Sequence, residues 1–320
     1  MDSMRPALAP ESIAVTPSRP TRHSVRAAYF MMLASSFCFA TMSACSRAAG
    51  DRADWRITAF SRAWLVFLMA WLIARLTGVR LVWRGPGTLW LRSITGSISM
   101  LLAFYALTHL HVATAVTLTN TFPLWVVLLA WPVLGQRPTA SVFAALISGI
   151  IGVAFVSGLA DLATSHQSAD EFSWASVAAL AASVCSAIVM LGLHRLRKIH
   201  ALAIVVHFSA VATVFIGGFT LWTAKYGNPI DFAPLRDVKT DVLLIGIGVF
   251  ATTGQILMTR AFHIAAPQRL SVIGLSQVLF ALGFDMLIWD RKLEATMLLG
   301  ITLVVAPVAW LLARRRERLA

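Results

Sequence analysis

Between Leu91 and Gly158 the chain carries three apolar runs of membrane length with almost nothing between them. The stretch opens LRSITGSISMLLAFYALTHLHVATAVTLTNTFPLWVVLLAWPVLGQRPT. A run of about 20 apolar residues crosses a hydrocarbon core of about 30 Å as a helix. Backbone in lipid must satisfy its own hydrogen bonds, which leaves helices or a closed barrel. A barrel strand alternates with period two, and these Leu/Ala/Val blocks do not. The chain must therefore fold as helices in a bilayer.

The rest of the sequence repeats the pattern. Ten spans are expected, at 28–46, 57–76, 90–109, 112–134, 140–158, 174–193, 201–222, 241–260, 267–289 and 295–313. Only 13% of the residues are charged and 58% are hydrophobic, where soluble domains carry about 25% charge. The expected fold class is an all-α polytopic membrane protein with ten transmembrane helices.

The net charge of +13 raises nucleic acid as a partner, so the placement of the charges decides. With the N-terminus inside, most Lys and Arg fall in cytoplasmic segments and most acids fall outside. That is the positive-inside bias, and it sets both termini in the cytoplasm. Residues 1–27 read as a disordered cytoplasmic tail rather than a signal peptide, because they hold no apolar h-region. Residues 314–320, with Arg314, Arg315, Arg316 and Arg318, read as a basic anchor. No nucleic-acid partner is expected. Cys38, Cys45 and Cys185 all lie in apolar runs and read as small packing residues. No HExxH, CxxC, GxSxG or phosphate-cradling loop occurs, so neither a metal, a cofactor nor an enzymatic activity is expected.

The chain also repeats internally. ASSFCFA (Ala34–Ala40) matches AASVCSA (Ala181–Ala187), with Cys38 on Cys185, and LGQRPT (Leu134–Thr139) matches IWDRKLE near Ile288. This divides it into a first repeat at 28–158, an outer linker at 159–173 and a second repeat at 174–313. Five spans is an odd number, so the second half enters the membrane from the opposite side, giving an inverted 5+5 repeat.

The phrase FYAL-THLHVATA, followed by a proline and then LWVVLLAWPVLGQRP, resembles the signature of EamA-type carriers of the drug/metabolite transporter superfamily. The resemblance covers roughly residues 28–312 and implies ten spans, the inverted arrangement and a central cavity formed by both halves. The sequence departs from the pattern in places. The usual exit glutamate is Gln136 in the first half and Asp290 in the second, and Gln277 stands at the position of Pro123.

Arg62 and Asp285 are the charges read as lying well within spans, both at a shallow outer depth. A charge in hydrocarbon marks a pathway or a partner. The two form an outer gate or a pair for a charged or zwitterionic substrate; otherwise Arg62 snorkels to the headgroups and Asp285 is wetted at a span end. In the fourth span Pro123 should kink the helix, with Thr117, Asn120 and Thr121 on one face. Ser271 and Gln277 occupy matching positions in the second half. These faces either line a polar cavity or glue helices together. Tyr105 and Gln255 are further substrate-facing candidates.

The function expected is a secondary transporter. It moves a small polar or amphipathic metabolite, such as an amino-acid derivative or nucleoside-like compound, by alternating access across a bacterial inner membrane. Asp285 is the membrane carboxylate that could hold a coupled proton. The expected partners are that substrate and the lipid bilayer, and the expected assembly is a monomer or homodimer. The competing readings are a non-transporting interaction or regulatory protein on a carrier fold, and a membrane-embedded enzyme.

Overall fold

The computed structural model describes residues 22–50, 52–109, 118–135, 137, 139–156, 169–227, 237–290, 292 and 294–313. Among them every regular element is a helix. In order these are α1 (Arg22–Gly50), α2 (Trp55–Leu76), α3 (Gly87–His109), α4 (Phe122–Leu134), α5 (Ala140–Val156) and α6 (Ala169–Arg195). There follow α7 (Ala201–Tyr226), α8 (Val238–Ile264), α9 (Pro267–Gly274), α10 (Ser276–Trp289) and α11 (Ala295–Ala313). Seven apolar helical segments of 20 to 27 residues are long enough to cross a bilayer, and three shorter apolar helices accompany them.

The surface confirms the medium. Leu287 is 82% exposed, Leu76 78% and Val214 77%, and large apolar side chains face outward along most helices. Water would not tolerate such a belt, whereas lipid tails solvate it. The interior holds the small polar residues instead, among them Ser35, Ser93, Ser97, Ser183, Ser209 and Thr259. The Ser93 hydroxyl pairs with His207 Nδ1, and the others donate to carbonyls of the preceding turn or of a neighbouring helix. Ser35 Oγ reaches Gly254 O at 2.8 Å, joining α1 to α8, and Ser99 Oγ reaches Ala182 O at 2.8 Å, joining α3 to α6.

The most extensive packing pairs join the first half of the chain to the second: α1 with α8, α3 with α6, α2 with α7 and α5 with α11. The α5–α11 crossing is very close, because a Cβ on Gly152 would lie 2.7 Å from the Gly300 carbonyl. Small residues permit such approach, and dispersion across it is a main attraction between helices in lipid.

Two aspartates cap helix starts at one end of the bundle. Asp54 accepts from Arg56 N at 2.8 Å at the start of α2, and Asp237 accepts from Lys239 N at 3.3 Å at the start of α8. The Asp54 carboxyl is held below its ordinary range, chiefly by the Arg56 side chain, whose Nη2 donates at 2.6 Å. Asp237 is lowered likewise, first by the Lys239 backbone N–H and then by Thr240 and Arg52.

Two expectations change. The fourth and ninth spans are not single kinked helices. Each is interrupted by a tight turn, at Thr121 before α4 and at Leu275 between α9 and α10. The hydrogen bonds match: Thr121 N to Leu118 O and Leu124 N to Thr121 O in one, Leu275 N to Val272 O and Val278 N to Leu275 O in the other. These three-residue closures are 3₁₀-like. Pro123 therefore sits in the first turn of a new helix, where its missing N–H does no harm, rather than bending a continuous one. The second half makes its turn without proline, beside Gly274, where a Cβ would meet Met32 Cε at 2.9 Å. The second change concerns the exits. α4 ends on Gly135 with φ 67° and α10 ends on Asp290 with φ 51°, both left-handed. Asp290 is thus the conformational counterpart of Gly135, not of Gln136.

Candidate functional site

Between α2, α3, α7 and α8 lies a small cavity lined by Arg62, Met100, Phe208, Ser209 and Gln255, with Ala63, Val66, Ala212 and Ala251 completing the wall. It has room for water and not for a metabolite. Arg62 enters it from the second turn of α2, and among the described residues no hydrogen bond or ion pair holds its guanidinium. Gln255 enters from the middle of α8 and is 7% exposed. Two of the sequence-nominated residues, Arg62 and Gln255, are therefore brought together from opposite halves of the chain.

Phe208 closes one side of the cavity, and behind its ring lies a second cation. Arg92, on α3, is 1% exposed, and its guanidinium carbon sits 4.1 Å from the Phe208 ring centroid. Its Nε, Nη1 and Nη2 are all buried without a hydrogen-bond partner. Its neighbours are basic or neutral. His207 lies close by, with Nδ1 2.8 Å from Ser93 Oγ and a further hydrogen bond to the Trp83 backbone, and His263 is within electrostatic reach. Burying a charge costs several kcal/mol even after relaxation, and a desolvated cation–π contact offsets only about 2 kcal/mol.

Sequence reasoning missed Arg92 by grouping it with the loop charges before the third span. The available signal was its context: Leu89, Trp90 and Leu91 precede it, so the charge lies past the start of the apolar run.

Asp285 does not meet Arg62. It pairs with Arg47 of α1 at 2.6 Å, and Arg47 also lies 4.3 Å over the Trp289 ring. A second pair, Arg52 with Asp237 at 2.8 Å, spans the α1–α2 connection and the start of α8 at the same end of the bundle. Both pairs tie one half of the chain to the other.

The polar residues of the fourth and ninth spans gather at the helix interruptions instead of lining this cavity. Thr121 Oγ1 bonds Leu118 O at 2.6 Å and Ser183 Oγ at 3.1 Å, and Asn120 stands in the same turn. Ser271 Oγ bonds Gln268 O at 3.0 Å, and Gln277 opens α10 half-buried. Thr117 lies outside the described residues. Tyr105 is 40% exposed on α3. Two serines lie beside these turns: Ser36 Oγ approaches Gly274 O at 3.5 Å, and Thr121 Oγ1 bonds Ser183 Oγ.

A helical body with an apolar outer belt, and with a small cavity walled by helices from distant parts of the chain, defines a multi-pass membrane protein. The chain belongs to the EamA-like transporter family, whose model matches residues 26–158 and 173–313. Family membership of this kind implies a carrier of the drug/metabolite transporter type rather than an enzyme. The pseudopaline exporter CntI of Pseudomonas aeruginosa is 26% identical over 287 residues, covering 89% of this chain and 96% of that protein. An uncharacterized transporter of Helicobacter pylori is 25% identical over 293 residues, covering 89% of this chain and 94% of its own length. A solved crystal structure at 15% identity shares the fold, with a TM-score of 0.74 over 88% of this chain and 96% of the other.

Proposed function

We propose that the protein is a secondary carrier that moves a small polar metabolite across the bacterial inner membrane by alternating access, with both termini in the cytoplasm. The observation that carries this reading is the Arg62–Gln255 cavity, walled by α2 and α3 from one half and by α7 and α8 from the other. A cavity between two bodies opens to either side when they rock against each other. The present cavity is too small for cargo, so transport requires that motion. The ion pairs Arg47–Asp285 and Arg52–Asp237 join the two bodies at the outer end and release when that end opens.

The two bodies are an inverted pair of repeats, 28–158 and 174–313. Several correspondences support this. Exchanging each helix for its counterpart turns the α1–α8 crossing into the α6–α3 crossing. The Ser35–Gly254 contact then falls on Ala182–Ser99, in which each residue corresponds to one in the other contact. The interruptions at Thr121 and Leu275 exchange in the same way, and so do the serines beside them.

The proposed cargo is an amino-acid derivative or nucleoside-like compound, and the similarity to an exporter from Pseudomonas aeruginosa supports the carrier reading. The carrier acts as a monomer or homodimer, with Asp285 the candidate for a coupled proton. Counterflow in proteoliposomes against a metabolite library tests the reading. Saturable, stereoselective exchange is expected for at least one compound. Absence of exchange with every compound, in protein shown to be folded, would refute it.

A further inference from the structure

We infer that the cargo carries an oxyanion, a carboxylate or a phosphate, which is recognised in turn by Arg92 and Arg62 on the two sides of Phe208. The inference rests on the carrier reading above and adds the substrate's charge.

The argument begins with a missing counter-charge. Arg92 is buried with all three guanidinium nitrogens unpartnered. A guanidinium offers five N–H donors in a planar fork and cannot shed its charge as a lysine or histidine can. In most proteins such a group meets a carboxylate. Among the described residues no carboxylate pairs with it. No Asp or Glu occurs between residues 55 and 160, between 172 and 230, or between 242 and 284. That removes every acid from α2, α3, α4, α5, α7 and α9. The acids that start α6 and α8, and Asp285 on α10, stand at the opposite end of the bundle from the start of α3. The nearest ionisable groups, His207 and His263, bring further positive charge or none.

Arg62 repeats the situation on the far side of Phe208. It lines the cavity with neither an ion pair nor a hydrogen bond among the described residues. The fold therefore places two fixed positive charges around one aromatic ring, with a hydrogen-bonding amide, Gln255, in the same cavity. A planar oxyanion matches the guanidinium fork with two parallel hydrogen bonds.

Phe208 is the partition. One face of its ring covers Arg92, and its edge is pressed on α3 so closely that a Cβ on Gly96 would lie 2.8 Å from Phe208 Cε2. In the resting state the ring shields Arg92 from the cavity. Rocking of α7 against α3 would withdraw the ring and expose Arg92 to an anion arriving from the end where α3 begins, which is the cytoplasmic end under the proposed topology. The anion would then pass to Arg62. Two sites in series, each incomplete alone, allow an anion to bind firmly enough to enter and loosely enough to leave.

The full chain in detergent is titrated with succinate, with inorganic phosphate and with the uncharged diamide of succinate. Each is compared with sodium chloride at equal ionic strength, and Trp fluorescence follows the melting. At least one of the two anions should raise the melting midpoint in a saturable way, and the diamide should not. Arg62→Gln and Arg92→Gln should each weaken that anion's apparent affinity at least 10-fold, and Arg62→Lys should retain more of it than Arg62→Gln. Because Arg92→Gln leaves an amide in a buried site, Phe208→Leu supplies an independent variant. It uncovers Arg92 without touching a charge and should tighten binding or leave it unchanged. Response to succinate alone names a carboxylate, and response to phosphate alone names a phosphate.

Equal stabilisation by the diamide, no response to either anion, or unaltered affinity in both glutamine variants would overturn the inference. Counterflow separates this from the parent reading: exchange of a neutral or cationic compound, with no competition from the anions, sinks the anion claim and leaves the carrier standing. Anion binding with no exchange of any compound does the reverse.

Discussion

Substituting Gly152 by alanine tests how the α5–α11 crossing holds this protein together. A Cβ there would sit 2.7 Å from the Gly300 carbonyl oxygen, 2.8 Å from Val304 Cγ2 and 2.9 Å from Leu303 Cβ. The first of these is backbone and cannot rotate away. Carbon–oxygen contacts relax at roughly 3.3 Å or more, so α11 must retreat by about half an ångström. Overpacking of this kind costs about 1–3 kcal/mol. A retreat would also stretch the bond from Ser148 Oγ to Leu303 O, now 3.0 Å. Against this, alanine gains about 1 kcal/mol of helix propensity over glycine.

The control is Gly218 on α7, where a Cβ meets nothing within 4 Å, so alanine keeps the propensity gain without the clash. The propensity gain cancels between the two alanine variants, so they should differ in stability by the overpacking cost alone, about 1–3 kcal/mol, with Gly152→Ala the weaker. Unfolding of the purified full chain by heat or by SDS titration, followed by Trp fluorescence, reads the difference directly. Equal stability of the two variants, or a Gly152→Ala protein more stable than the parent, would refute the claim that this crossing is set by backbone contact.

Two further outcomes follow from the charged end of the bundle. Arg47→Asp and Asp285→Arg should each impair transport, and the double reversal should restore most of it. The measured coupling should be on the order of 1 kcal/mol or less, because the Arg47 side chain is 53% exposed; additive losses would show that the pair does not act as a unit. Acidification should leave the helix caps intact until the caps themselves titrate. Asp54 and Asp237 have carboxyls lowered in the folded state, so their stabilisation is complete above the unfolded value of 3.8 and disappears as pH falls through the lower folded values. Stability should thus vary little between pH 7 and 5 on their account and fall below about 4. Asp54→Asn should flatten that acid limb, and an unchanged limb would contradict the assignment.

The sequence determined the medium, the all-helical class and the family. Hydrocarbon has a fixed thickness, so the length of an apolar run translates directly into a span; seven described segments have that length, while the expected spans at 112–134 and 267–289 are interrupted. Ser36 and Ser183 sit in similar heptapeptides, and each lies beside a helix interruption, Ser36 at Gly274 and Ser183 at Thr121. Pro123 drew attention to this place in the first half, but as a kink rather than the interruption found at Thr121. Nothing equivalent announced the one at Leu275, because there it depends on Met32 and Ser36 of α1, more than 230 residues away.

Which charge meets which was beyond the sequence. Arg47 and Asp285 stand 238 positions apart, and Arg62 seemed as good a partner at the same depth. The direction a side chain takes around its helix is fixed by the neighbour that helix packs against. Only the tertiary structure turned Asp285 toward α1, Arg62 into the cavity, and Arg92 into a dry interior behind Phe208.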